Sequence, residues 1–152
     1  MATKIKNLEN DAYTELKDEK KFIDLIIKEM MKNIKTTLEE FKVNFDSFYS
    51  ESTLYKKLGS NQNKIQGVLK DLESEYSFKN EGAIWFKSTQ FGDDKDRVLI
   101  RSDDQETYFL SDIAYHKDKF DRGYDEIINI WGSDHHGYLP RIIASILSLI
   151  HI

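Results

Sequence analysis

The chain has 152 residues, 39% hydrophobic and 12% aromatic, with a net charge of −5 and no cysteine. This composition can fill a core, which excludes wholesale disorder, and it also excludes disulfides, thiol nucleophiles and thiolate metal sites. Lys and Arg are scattered among Asp and Glu, so no basic patch for a nucleic-acid backbone stands out. With no N-terminal h-region and no bilayer-length apolar run, the expectation is a cytoplasmic protein away from the membrane.

Residues 1–12 are polar and read as loose. From about Asp18 to Phe41, Phe22, Ile23, Ile26, Ile27, Met30, Met31, Ile34 and Leu38 recur at three- and four-residue steps, the stripe of an amphipathic helix. Val43–Tyr49 alternates and is aromatic, which predicts a strand near residues 44–49. A short helix through Tyr55 and Leu58 follows, with serine available as its cap. Gly59-Ser60-Asn61 breaks the chain, and Ile65, Val68, Leu69 and Leu72 mark a second helix between Asn61 and Tyr76. Asn80-Glu81-Gly82 signals a turn before the buried strand Ala83–Phe86. The charged loop Phe91–Asp96 precedes the strand Arg97–Arg101, and Ser102–Gln105 makes another turn.

The stretch from Thr107 to Tyr138 reads as strand, helix, strand and turn. Tyr108 is placed in a short β-rich piece, Asp112 at a helix start, and Ile127, Ile128, Ile130 and Trp131 in a strand broken at Gly132. A β-α-β unit that ends in a polar turn presents ligand-binding groups at the carboxyl ends of parallel strands. Asp134 can accept hydrogen bonds from a ribose diol, and His135 or His136 can donate to a carboxylate or carbonyl. A zinc site built on the same residues lacks a third ligand at suitable spacing, and a turn with solvated histidines remains the plain alternative. Tyr108 and Asp112 read equally as a core tyrosine and a helix cap, and Glu51 as a solvated acid. If Glu51, Tyr108 and Asp112 converge, they offer acceptors to a planar cation such as guanidinium. Asp93-Asp94-Lys95-Asp96 reads as a solvated loop without calcium-loop spacing. No phosphate-cradling glycine loop, nucleophile elbow or dinucleotide fingerprint is present.

Beyond Pro140, IIASILSLIHI is an apolar helical pattern without a polar cap, which is the pattern expected of part of a larger protein.

The stretch GAIWFKSTQFGDDKDRVLIRSDDQETYFLSDIAYHKDKFDRGYDEIINIWGSDHHGYLPRI, preceded by VNFDSFYSESTLYKK, closely resembles bacterial arginyl-tRNA synthetases. The resemblance rests on FGDDKDR, SDIAYH and WG-x-DHHGY and covers at least residues 40–141. It implies an α/β class I synthetase. Residues 1–80 would be a mainly helical insertion, and residues 81–152 the truncated second half of a Rossmann-type nucleotide-binding catalytic domain. By the same resemblance Glu51, Tyr108, Asp112 and His135 contact arginine, while Gly132, Asp134 and His136 face the nucleotide. The partners implied are L-arginine, ATP with Mg2+, tRNA(Arg) and the rest of the synthetase chain. The HIGH-type and KMSKS-type motifs of the family are absent, so the expected reading is an internal fragment, inactive by itself and without catalytic or metal-ligating residues of its own. The alternative is a truncated paralogue that acts as an arginine-binding or protein-interaction module.

Overall fold

The computed structural model describes residues 19–57, 62–73 and 75–150. Several expectations concern residues outside these: the loose 1–12 segment, the helix start at Asp18, Leu58, the Gly59–Asn61 break, and His151 and Ile152. The chain divides into two compact units, one to Phe48 and one from Tyr49.

In the first unit, α1 spans Glu19–Glu40, close to the bounds its apolar stripe predicts. None of its residues is buried, and Ile23, Ile27, Met30 and Ile34 remain exposed. The chain leaves the helix through Lys42 at φ 57, with Val43 N–H donating to the Leu38 carbonyl at 2.9 Å. The predicted strand at 44–49 does not form. Phe45 and Phe48 pack ring against ring at 5.4 Å instead, since among the described residues no neighbouring strand offers them a ladder.

The second unit is built around a three-stranded antiparallel sheet, β1 (Ser77–Asn80), β2 (Ala83–Phe86) and β3 (Arg97–Ile100). Glu81 and Gly82 both have positive φ, 49 and 78, as the tight hairpin between β1 and β2 requires. The 3-10 helix Glu51–Tyr55 and α2 (Lys64–Leu72) precede the sheet, and the 3-10 helix Ser88–Phe91 lies between β2 and β3. Asn63 caps α2 with a reciprocal capping box to Gln66. Then come α3 (Tyr108–Asp121), the 3-10 helix Ser133–Tyr138 and α4 (Leu139–Ile150). Helix α3 packs on α2, α4, β3 and the 3-10 helix Glu51–Tyr55. One core results, in which Leu54, Ile65, Leu72, Phe86, Leu99, Leu110, Ile113 and Ile142 are almost fully enclosed.

Four expectations change here. The sheet is antiparallel, so the β-α-β unit read from Thr107 to Tyr138 is not formed. Tyr108 opens a helix rather than ending a strand, because Thr107 caps it: its hydroxyl accepts from Leu110 N–H at 3.4 Å while donating to the Val98 and Leu99 carbonyls. Asp112 therefore lies one turn inside α3, not at its start. The run Ile127–Trp131 has no strand pairing, with Ile128 74% and Ile130 91% exposed. A strand needs a neighbour, and among the described residues none lies beside this run. The loop Phe91–Asp96 is not simply solvated either. Asp93 is buried, and Arg97 Nε and Nη2 hold its two carboxylate oxygens at 2.7 Å each.

Candidate binding site on helix α3

Two faces of α3 do different work. Phe109, Leu110, Ile113 and Ala114 enter the core, whereas Tyr108, Asp112, Tyr115, His116 and Lys119 line a cavity of about 350 Å3. The latter recur at three- and four-residue steps along one helical face. Trp131, His135 and Tyr138 close the opposite wall. A second cavity of about 220 Å3 is lined by Tyr49, Glu51, Leu54, Ser111, Asp112 and Tyr115. Asp112 and Tyr115 form the ridge common to both. Glu51 is brought there by its 3-10 helix, which Leu54 anchors in the core and Tyr55 ties to α3 through a 2.8 Å hydroxyl pair with Ser111.

The chemistry of the larger cavity is set by its hydrogen bonds. Tyr138 donates its hydroxyl to Oδ2 of Asp112 at 2.5 Å, and burial followed by this bond raises the phenol above its ordinary pKa. His116 Nδ1 lies 2.8 Å from the Asp112 carbonyl. A carbonyl only accepts, so Nδ1 carries the proton and Nε2 is left as an acceptor. That Nε2 is buried and has no partner. Burial, outweighing the Asp112 carbonyl, lowers the histidine's pKa, so the neutral ring is favoured. Lys119 donates to Asn129 Oδ1 at 2.6 Å and lies over the Tyr115 ring at 4.4 Å. The result is a carboxylate and a neutral acceptor between aromatic walls, with an ammonium at one end, an arrangement whose acceptors match the chemistry of a flat, donor-rich cation.

No family model matches the chain. The arginine–tRNA ligase of Bacillus pumilus is 52% identical over 124 residues, 81% of this chain and 21% of that protein. That of Geobacillus kaustophilus is 47% identical over 143 residues, 91% of this chain and 25% of that one. A crystal structure described as an arginyl-tRNA synthetase from Campylobacter jejuni superposes with a TM-score of 0.83 at 38% identity, over 97% of this chain and 32% of its own. The chain is homologous to arginine–tRNA ligases. It spans about 21% of the length of the Bacillus relative, so the homology covers part of such an enzyme.

Of the residues expected to contact substrate, the fold brings Tyr108, Asp112 and His135 into one cavity and Glu51 with Asp112 into the next. Gly132, Asp134 and His136 line neither, and all three are exposed. They belong to the 3-10 helix Ser133–Tyr138 and its Gly132 cap. Gly132 is extended, φ −67, so no left-handed turn requires it. A Cβ there would meet the Asp134 carboxylate, an exposed side-chain end that can swing aside. Sequence reading missed Tyr115, His116, Lys119 and Tyr138. Three of these follow Asp112 by three, four and seven residues, so a helix begun at Tyr108 would have exposed the stripe.

Proposed function

We propose that these residues form one side of the amino-acid site of a longer arginine–tRNA ligase. The observation that carries this reading is Asp112, a carboxylate common to two tyrosine-walled cavities, with Tyr108 and His135 on one side and Glu51 on the other. Asp112 and Glu51 would take the guanidinium, Tyr108 and Tyr115 would flank it, and His135 would meet the backbone end of the amino acid. Asp134, with Gly132 and His136 beside it, would face the adenosine. The parent enzyme would join the arginine carboxylate to the α-phosphate of ATP, releasing pyrophosphate, and then pass arginine to tRNA(Arg). Catalysis of that kind is chiefly positioning and charge stabilisation.

In the parent, residues 81–152 would be part of a Rossmann-type nucleotide-binding domain, preceded in residues 1–80 by the mainly helical insertion. The exposed Ile127–Trp131 run would gain strand neighbours there. ATP would bring Mg2+ with it. Among the described residues no group of three or more His, Asp and Glu gathers to hold a metal, and the triphosphate contacts would come from the rest of the enzyme. No helix of the described residues is long and apolar enough to cross a membrane, which accords with a cytoplasmic enzyme. Homology at about half identity favours this reading over a stand-alone binding module.

The test is arginine-dependent exchange of pyrophosphate into ATP. The 152-residue chain alone should show none, and complementary pieces of the parent should restore it if they dock. Asp112→Ala should then abolish exchange with the circular dichroism spectrum unchanged. Robust exchange by the chain alone, or undiminished exchange with Asp112→Ala, would overturn the assignment.

A further inference from the structure

We propose that Lys119 is the anion-binding end of the cavity that Asp112 serves, so that the site selects a dipolar ligand. The ligand's cation would meet Asp112 and its carboxylate would meet Lys119. This rests on the arginine reading above and adds the group that recognises the other end of the amino acid.

Lys119 follows Asp112 by seven residues on the same helical face, an axial offset of about 10 Å. That is on the order of the length of a long-side-chain amino acid, so one ligand can bridge the two. Asp112 and Lys119 are the carboxylate and the ammonium lining the cavity. Lys119 is half-buried, yet among the described residues it has no carboxylate within ion-pair range. Its contacts are neutral, the Asn129 amide oxygen and the Tyr115 ring. The carboxylate that acts on it, Asp112, does so from beyond ion-pair distance, and a partly desolvated ammonium without a counter-charge in contact is costly. In keeping with this, burial and then the nearby Arg122 lower its proton affinity. A bound carboxylate would supply the missing charge, while neutral His116 between the two ends adds no competing cation. Arg122, which caps the end of α3, is already engaged by Asp118, which leaves Lys119 as the cation free to meet a ligand in this cavity.

The experiment titrates the 152-residue chain with L-arginine and with L-argininamide, which lacks the carboxylate, at constant ionic strength. The Trp131 indole resonance is followed by NMR. Arginine should bind more tightly than the amide, against the order that the amide's extra positive charge would give in an acidic pocket. Lys119→Met keeps the stem over Tyr115. It should weaken arginine by about three- to tenfold while leaving the amide unchanged or tighter, and Lys119→Arg should retain the preference for arginine. Equal weakening of both ligands by Lys119→Met would mark a merely structural lysine and overturn the proposal. An unmodified chain that does not prefer arginine to the amide overturns it without any variant. Failure of both ligands to bind at tens of millimolar would instead sink the arginine reading, and the proposal with it.

Discussion

The Tyr138 hydroxyl donates to Oδ2 of Asp112 across 26 positions of sequence, at 2.5 Å. One carboxylate oxygen is thereby held by the protein, and the 3-10 helix Ser133–Tyr138 is tied to α3. Tyr138→Phe keeps the edge-on ring contact with Phe109, at 6.3 Å and 89°, and removes only the hydrogen bond. Both partners are half-buried, so urea unfolding should show a loss of about 1.5–2 kcal/mol, the lower part of the range for a bond to a charged group. An unchanged midpoint would mean that the carboxylate is held equally well by water.

Acid should unfold the second unit through Asp93. Arg97 forks onto it and, against the opposing effect of burial, holds its carboxyl well below the usual carboxylate range. Asp118 shifts the same way, because Lys64 and Arg122 together outweigh burial. A carboxyl with a lowered folded pKa contributes stability above its unfolded value of about 4, and that contribution is lost as pH falls towards the folded value. Stability should therefore drop steeply below about pH 4. Asp93→Asn should flatten this dependence and cost about 3 kcal/mol at pH 7, because it removes the buried one of Arg97's two carboxylate partners and leaves only the exposed Asp94. The check is a series of urea melts from pH 3 to 7. A variant as acid-sensitive as the parent chain would remove Asp93 from the account.

Helix α2 is only nine residues long and leans on its cap. The Asn63 side chain accepts from Gln66 N–H at 2.8 Å, while Gln66 Oε1 accepts from Asn63 N–H at 3.1 Å. Asn63→Ala should lower stability by about 1 kcal/mol, and Asn63→Ser by much less. Thermal melts of the two variants would distinguish a capping role from a simple loss of packing, which both should show alike.

Helix α4 buries Ile142, Ala144, Ser145 and Ser148 and leaves Ile143, Leu147 and Ile150 at least 37% exposed. These three fall on one face, four and three residues apart. Dye binding to apolar surface and concentration-dependent light scattering should both be observed, and the double change Leu147→Lys with Ile150→Lys should reduce both without loss of helix content. A monodisperse, dye-silent chain would show that this face is covered in solution.

Much of the architecture was legible in local pattern. The stripe from Phe22 to Leu38 read as α1, the Ile65–Leu72 stripe as α2, and Asn80-Glu81-Gly82 as the hairpin turn, because each rests on contacts within a few residues. The readings that failed concern segments whose local preference depends on a neighbour. Val43–Tyr49 and Ile127–Trp131 carry strand-like side chains, yet a strand exists only where another pairs with it. The homology to arginine–tRNA ligases was legible as well, in SDIAYH and WG-x-DHHGY.

The sequence by itself therefore determined the periodic helices, the tight turns, the resemblance and the identity of Tyr108 and Asp112 as residues to watch. Tertiary structure alone decided where α3 begins, because that depends on Thr107 donating to the carbonyls of β3. With that start, Tyr108, Asp112, Tyr115, His116 and Lys119 fall on one face, and Tyr138 and Glu51 arrive from segments distant in sequence. The convergence of such groups depends on long-range packing, since a side chain's local pattern records which face it takes but not what will stand opposite it.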